Sequence, residues 1–254
     1  HGWYRRQRQM CIRDRFNTYP FPIGDITNTS ISTIVKRETV TQVNKFNDSI
    51  HLSKENIDFP AKSKDNAITF IRHGQTDSNL EGIWQGHIDN PLNETGIKEA
   101  SLLKGLFKNY DLYISSPYKR ANQTLSLITE NNIKISYELT EMNLGQWEGL
   151  KTSEILNKYQ ENFIEALFIN HKTKYGIDGE SIHEAGKRVE NLISDLEKKK
   201  LLMASHGGTI KSAITNLIKS PDSKAASAFT IPNNLGVSCL VPKDNKYFLW
   251  SYNV

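Results

Sequence analysis

From about residue 66 onward, short apolar runs alternate with longer amphipathic runs. Ala67–Ile71, Leu112–Ile114 and Leu201–Ala204 are short and apolar, which is typical of buried strands. Between them, apolar residues recur at helical spacing, as in Glu94–Lys108 and Ser181–Lys200. Strands that alternate with helices favour a parallel sheet covered by helices. The sequence therefore predicts an α/β fold, a three-layer α/β/α sandwich with a mainly parallel sheet.

Two further helices are expected directly after predicted strands. Ser116 is a favourable N-cap and is followed by Pro117, which suits the first helical position. We therefore expect a helix from Ser116 to about Glu130, with Arg120 in its first turn. Another helix is expected over Thr209–Ile218. The first turn of a helix presents free N–H groups and partial positive charge, which suits a bound phosphate.

Two of the predicted strands end in a histidine that is followed by glycine. The first strand leads into Arg72, His73 and Gly74. The third leads into His206 and Gly207. Because ligands of such sheets bind at the carboxyl ends of the strands, we expect both histidines at one edge. Glycine there lets backbone N–H groups approach a bound anion closely. Either histidine alone is more often a hydrogen-bonded loop residue, so the ordered context decides.

That context is a series of polar and glycine-containing motifs spread over the whole domain. In chain order they are Arg72-His73-Gly74-Gln75-Thr76, Asn79, Gln85-Gly86, Asp89-Asn90-Pro91-Leu92, Thr95-Gly96, Ser115 to Thr124, Glu141 to Gly149, Gly179-Glu180-Ser181 and Ser205-His206-Gly207.

The order of these motifs resembles that of the histidine phosphatase superfamily, whose fold is phosphoglycerate mutase-like. The resemblance covers about Ala67 to Val254, and Glu141–Gly149 looks like the broad-specificity and α-ribazole phosphate phosphatases. It implies a hydrolase of small phosphomonoesters that acts through a phosphohistidine intermediate. It also implies that His73 is the nucleophile and that Glu141 gives a proton to the leaving group.

The resemblance further implies a set of residues that hold the phosphate. Arg offers a rigid fork of donors that suits phosphoryl oxygens, so two arginines could supply the charge that a metal supplies elsewhere. His73 and His206 also lack a third ligand at recognisable spacing. We therefore expect no metal and no cofactor. The implied set comprises Arg72, Arg120 and His206 as charged or donor groups, Asn79 and Gln85 as polar contacts, and Gly74, Gly86 and Gly207 as points of close backbone approach.

The net charge of +4 does not indicate a nucleic-acid partner. Residues 1–15 carry five arginines and one aspartate, a net of +4, so the rest of the chain is formally neutral. Nucleic-acid binding would need a basic face on the folded domain. The two cysteines form no disulfide framework, which favours a cytoplasmic protein, and the apolar runs are too short to span a bilayer. A small phosphorylated molecule is the expected partner.

The first 65 residues differ from the domain at 66–254. Residues 1–15 resemble a translated cloning artefact, and the polar stretch 53–65 carries Pro60, as a linker should. Residues 16–52 match the C-terminus at a constant offset of 206, which predicts that they are the last strands of an upstream copy of the same domain. The identical pairs are Asn28 and Asn234, Ser32 and Ser238, Val35 and Val241, and Asn47 and Asn253; similar pairs are Ile31 and Val237, Ile34 and Leu240, and Phe46 and Tyr252.

Two other functions use the same residues. A phosphoglycerate mutase would return the phosphoryl group to its substrate, but the mutases carry a longer insertion after the Glu141 motif. Here Glu141 and Gly179 are only 38 positions apart, which favours hydrolysis. A non-catalytic phosphate-binding domain would lack the nucleophile or the proton donor, and this chain has both His73 and Glu141.

Overall fold

A computed structural model describes residues 31–37, 40–48, 66–196, 199–218, 229–243 and 246–254. The predicted leader (1–15) and linker (53–65) lie outside these ranges. The described residues contain eight strands: β1 (Ile31–Arg37), β2 (Val40–Asp48), β3 (Ile68–Arg72), β4 (Leu112–Ser115), β5 (Ile133–Ile135), β6 (Leu201–Ser205), β7 (Val237–Lys243) and β8 (Lys246–Ser251).

The same ranges contain six α-helices. Three shorter turns of helix accompany them: two 3₁₀ segments at Tyr137–Leu139 and Gly145–Trp147, and a π-helical segment at Glu165–Ile169. The α-helices are α1 (Asp77–Glu81), α2 (Glu94–Leu102), α3 (Lys119–Ile128), α4 (Thr152–Ile164), α5 (Ile182–Asp195) and α6 (Gly207–Leu217).

The strands form a two-stranded hairpin, β1–β2, and a six-stranded sheet in the order β5-β4-β6-β3-β7-β8. The pairs β5–β4, β4–β6 and β6–β3 are parallel, whereas β7 and β8 are antiparallel to their neighbours. The predicted mainly parallel α/β sheet is therefore confirmed. Since β3 and β6 are adjacent and parallel, the residues that follow them meet at one edge.

Alternate residues of the sheet face two separate helical layers. Leu201 and Met203 of β6 pack in one buried cluster with Val189 of α5 and Ile210 of α6. Leu202 of β6 points the other way, as the two-residue period of a strand requires, into a cluster that includes α3 side chains. The predicted helix–sheet–helix layering follows from this alternation. Within the described ranges, no helix has the length and apolar character needed to cross a membrane.

Three predicted helix boundaries are wrong. The helix expected over Ser181–Lys200 begins at Ile182 and ends at Asp195. The helix expected to reach Lys108 ends at Leu102, and Gly105 then adopts a left-handed conformation with φ of 77°. The helix expected to begin after Ser116 begins at Lys119 instead, with Tyr118 as its N-cap. The Ser116 hydroxyl accepts a hydrogen bond from the Tyr118 amide at 3.3 Å. It also lies 2.8 Å from Nε2 of His206.

Candidate active site

The two histidines lie side by side at the carboxyl edge of the sheet. His73 follows β3, and its amide donates to the Ser205 carbonyl at the end of β6. His206 follows β6 and is the N-cap of α6. Their ring centroids are 5.2 Å apart, and both side chains are buried. The strand register therefore brings together two residues that are 133 positions apart in the sequence.

One ring nitrogen of His73 is held and the other is free to react. Nδ1 lies 2.7 Å from the Gly74 carbonyl oxygen, which can only accept a hydrogen bond, so the proton is on Nδ1. Nε2 then carries the lone pair. Burial, reinforced by the charges of Arg72 and Arg120, lowers the pKa of His73 well below its usual value. The ring is therefore neutral near pH 7, as a nucleophile requires.

His206 has the opposite tautomer and a different role. The Nε–H of Arg120 donates to His206 Nδ1 at 3.1 Å, so the ring proton is on Nε2, which lies 2.8 Å from the Ser116 hydroxyl. Burial first, and then the charge of Arg120, lowers the pKa of His206 well below its usual value. His206 is fully buried and is not among the residues that line the cavity described below. Its contact with Arg120 helps to orient that guanidinium group.

The two arginines are held by backbone carbonyl groups. Arg72 Nη1 donates to Pro232 O at 2.6 Å, while its buried Nε has no partner in the described structure. Arg120 donates to Ile88 O at 2.6 Å and Gly86 O at 2.9 Å. An unpartnered guanidinium N–H beside a neutral histidine is a ready donor for an anionic oxygen. Burial lowers the pKa of both arginines, which nonetheless stay charged.

Glu141 is fixed at the N-terminus of α6. Its Oε1 accepts from the amides of Met142 at 2.9 Å and Thr209 at 3.0 Å. Its Oε2 accepts from the Gly208 amide at 3.2 Å. A helix N-terminus offers free N–H groups that suit a carboxylate. These contacts set the carboxyl group at the cavity wall, where it faces the histidine and both arginines.

A cavity of about 240 Å³ lies in front of these groups. Its wall carries polar and charged residues together with the apolar side chains of Ile83, Trp84, Leu144 and Ile231. Among the ten residues that the sequence indicated, His206 and Gly74 are not among the lining residues. The other eight line the cavity: Arg72, His73, Asn79, Gln85, Gly86, Arg120, Glu141 and Gly207.

Gly74 and Gly207 are packed closely against neighbouring residues of the domain. A Cβ on Gly74 would lie 3.0 Å from Gly96 O, and one on Gly207 would lie 2.6 Å from the Ile231 side chain. Gly86 adopts φ of 53°, and a Cβ there would lie 2.2 Å from Glu148 Oε1. Gln85 donates to Thr76 Oγ1 at 2.9 Å and leaves its own oxygen without a partner.

Asn234 is a positioning residue that sequence reasoning missed. Its amide nitrogen lies 3.0 Å from His73 O, 3.1 Å from Gly74 O and 3.1 Å from Asn79 Oδ1. The Gly74 carbonyl is the group that fixes the His73 ring, so Asn234 helps to set the direction of Nε2. It is 161 positions from His73, and no local pattern could have indicated the contact. The only sequence feature that singled out Asn234 was its identity with Asn28 at the offset of 206.

No group of three or more His, Cys, Asp or Glu side chains suited to a metal ion occurs in the described ranges. The charged groups around His73 are the arginines and Glu141 described above. They fit a phosphate group with its negative oxygens rather than a metal cation. Guanidinium groups donate hydrogen bonds to anionic oxygens, which a phosphate group supplies.

Residues 68–254 match the family model described as the histidine phosphatase superfamily (branch 1). The chain belongs to this superfamily. The resemblance seen in the motif order is thereby confirmed, together with the phosphoglycerate mutase-like fold. As a superfamily member it has relatives that are named as phosphatases, which bears out the expected class of enzyme.

Two relatives illustrate this within the histidine phosphatase superfamily. The adenosylcobalamin/alpha-ribazole phosphatase of Escherichia coli is 31% identical over 160 residues, which are 59% of this chain and 78% of the relative. A broad-specificity phosphatase of Saccharomyces cerevisiae is 30% identical over 192 residues, 70% of this chain and 81% of the relative. Among solved structures, a phosphoserine phosphatase of Entamoeba histolytica in complex with 3-phosphoglyceric acid aligns with a TM-score of 0.66 and 28% identity, covering 74% of this chain and 96% of the other.

Proposed function

We propose that this protein hydrolyses a small phosphomonoester through a phosphohistidine at His73, without a metal or a cofactor. The observation that carries the proposal is the state of the His73 ring. It is neutral, its Nδ1 proton is held by the Gly74 carbonyl, and its Nε2 lone pair is free beside Arg72. A nucleophile, a cationic donor and a carboxyl group thus converge on one cavity.

In the first step, Nε2 of His73 attacks phosphorus and the ester P–O bond breaks. Negative charge spreads over the equatorial oxygens of the transferring group, where positioned cations stabilise it. The free Nε–H of Arg72 is placed to do this. The leaving oxygen takes a proton from the Glu141 carboxyl group.

In the second step, water attacks the phosphorus of phosphohistidine and the P–N bond breaks. Glu141, ionised after the first step, accepts the proton of that water. The products are inorganic phosphate and the original neutral ring of His73. Asn234 keeps the Gly74 carbonyl in place through both steps, so the ring has one orientation for attack and release.

The size and lining of the cavity favour a small substrate. A volume of about 240 Å³ is below the range of about 300–1,000 Å³ typical of drug-sized ligands. Trp84 and Leu144 offer apolar surface to the leaving group. We therefore propose a small phosphorylated molecule as the partner. Outside residues 1–15 the chain is formally neutral, so we propose no nucleic-acid partner. A cytoplasmic location stays a prediction from the cysteine content.

The test is hydrolysis of p-nitrophenyl phosphate by the wild type and His73→Ala, with EDTA present throughout. We expect turnover by the wild type that EDTA does not change and that the variant loses by at least about 10³-fold. His183→Ala, which removes an exposed histidine, is the matched control and should keep full activity. Loss of wild-type activity in EDTA would contradict the metal-free mechanism.

The role of Glu141 is tested with two leaving groups. p-Nitrophenolate needs no proton to leave, whereas an alkoxide does. Glu141→Gln should therefore slow release of the alcohol from an alkyl phosphate much more than release of p-nitrophenolate from p-nitrophenyl phosphate, in single-turnover measurements of the leaving group. Equal losses would contradict its role as proton donor. Return of the phosphoryl group to a second phosphoglycerate molecule would instead assign the mutase reaction.

A further inference from the structure

The β1–β2 hairpin repeats the β7–β8 hairpin in its strand bounds and in its pairing. β1 spans 31–37 and β7 spans 237–243, a shift of 206 in both bounds. The pairing follows the same shift. In β1–β2 the pairs are Arg37–Val40, Lys36–Thr41, Val35–Gln42, Ile34–Val43 and Thr33–Lys45, and in β7–β8 they are Lys243–Lys246, Pro242–Tyr247, Val241–Phe248, Leu240–Leu249 and Cys239–Ser251.

The irregularities of the two hairpins also coincide. The register shifts between Thr33 and Ile34 in one hairpin and between Cys239 and Leu240 in the other, again 206 positions apart. Beyond the shift, Ile31 pairs with Asp48. At the matching positions, Val237 and Val254 exchange two backbone hydrogen bonds of 3.0 Å each.

A bulge is a specific feature of a sheet, and a one-residue slip would turn every following side chain to the opposite face. The matching position of the register shift therefore indicates a closer similarity than any two hairpins would share. The sequence pairs found at the same offset, such as Ser32 with Ser238 and Val35 with Val241, come from an independent comparison. Both comparisons give the same offset without a gap, which indicates two copies of one hairpin.

The contact between the two copies has local two-fold symmetry. The Phe46 amide donates to Tyr252 O at 3.0 Å, and the Tyr252 amide donates to Phe46 O at 3.1 Å. Phe46 and Tyr252 are equivalent at the offset of 206, so each residue pairs with its own counterpart. Contact between equivalent residues is the mark of an isologous interface, in which the same patch is used by both partners.

This contact is also well packed. The side chains of Val43 and Phe46 are buried in the same cluster as Phe229 and Tyr252. The Asn253 side chain donates to Asn44 O at 2.9 Å. Burial of two apolar side chains with satisfied backbone groups is what a stable interface requires.

We propose that β1–β2 is the C-terminal hairpin of a second copy of this catalytic domain, and that the face around Tyr252 is where two copies of the domain associate. The symmetry means that the face binds the equivalent hairpin of any other copy. In this chain the hairpin at 31–48 occupies the face in cis, so the chain should be monomeric.

The test is a hairpin exchange in the full chain. Residues 31–48 are replaced by the sequence of residues 237–254, which has the same length. The matched control replaces them by a scrambled sequence of the same composition. Thermal unfolding and light scattering over a range of concentrations are measured for both chains and for the wild type.

The exchanged chain should remain monomeric, with a Tm within a few degrees of the wild type. The scrambled chain should lose on the order of 10 °C in Tm, because the buried Phe46 and Val43 contacts are lost. Its vacant face should also produce a concentration-dependent dimer. An exchanged chain that behaves like the scrambled one would overturn the equivalence of the hairpins.

Phe46→Asp gives a second test that does not need the scrambled chain to fold. It places a charge at the centre of the two-fold contact, so the hairpin should leave the face. We expect a lower Tm and dimers whose fraction rises with concentration. A Phe46→Asp chain that stays monomeric at every concentration would overturn the proposed association of two domain copies.

Discussion

The two buried histidines should make this protein lose stability in mild acid. Burial is the main cause that lowers the pKa of His73 and of His206 well below the usual value of about 6.5. In the unfolded chain both rings regain that usual pKa. Between the lowered pKa and 6.5, the unfolded state binds protons that the folded state does not. The contribution of the two neutral rings to the free energy of unfolding is therefore fully present above pH 6.5 and is lost as the pH falls.

The expected magnitude follows from proton linkage. At about pH 5.5, one unit below the unfolded pKa, each ring lowers the free energy of unfolding by on the order of 1 kcal/mol. The two rings together account for about 2–3 kcal/mol, a large part of a typical free energy of unfolding. Urea unfolding at a series of pH values from neutral to mildly acidic would measure this loss for the wild type.

Substitution of one ring isolates its share. His73→Gln removes one of the two titrating groups, so the loss between neutral pH and about pH 5.5 should shrink by about 1 kcal/mol. The comparison uses the pH dependence, not the absolute stability, because the variant also changes local packing. His183→Gln controls for the loss of a histidine as such. A His73→Gln curve parallel to that of the wild type would refute the claim that His73 is held neutral.

Three further substitutions test the contacts around the site. Arg120→Ala leaves two buried carbonyls and a ring nitrogen without their donor and should cost about 3–5 kcal/mol in urea unfolding, whereas Lys119→Ala on the exposed side should change little. Asn234→Ala should lower kcat about tenfold with little change in KM, since it loosens the carbonyl that orients His73; an unchanged kcat would contradict this role. Gly96→Ala would place a Cβ 2.2 Å from Gln75 O and should cost about 3 kcal/mol in a thermal melt, against almost nothing for Lys98→Ala.

The periodicity of apolar residues predicted which elements exist, but not where they end. Strands β3, β4 and β6 lie within one residue of their predicted bounds. The helix expected over Glu94–Lys108 stops at Leu102, although Leu103, Leu106 and Phe107 continue the helical spacing. These side chains reach the core from an irregular turn around Gly105, where Phe107 is buried. Spacing alone cannot distinguish such a turn from another turn of helix.

The site could be predicted as a set of residues, but not as a network. Motif order indicated ten residues, and eight of them line one cavity. The direction of each side chain was beyond reach. His206, for example, accepts a hydrogen bond from Arg120 at Nδ1 and lies 2.8 Å from the Ser116 hydroxyl at Nε2. That orientation depends on which donors surround the ring after folding, and these come from different parts of the chain.

The face around Tyr252, on which the hairpin packs, and the active site share one short segment, residues 229–235. At its start, the Thr230 amide donates to Val43 O at 3.1 Å, which ties the segment to the hairpin. Further along, Pro232 O accepts from Arg72 and the Asn234 side chain supports the carbonyl that orients His73. A partner hairpin on this face would therefore hold the same backbone that holds the nucleophile. If two copies of the domain associate as proposed, each copy helps to order the catalytic edge of the other.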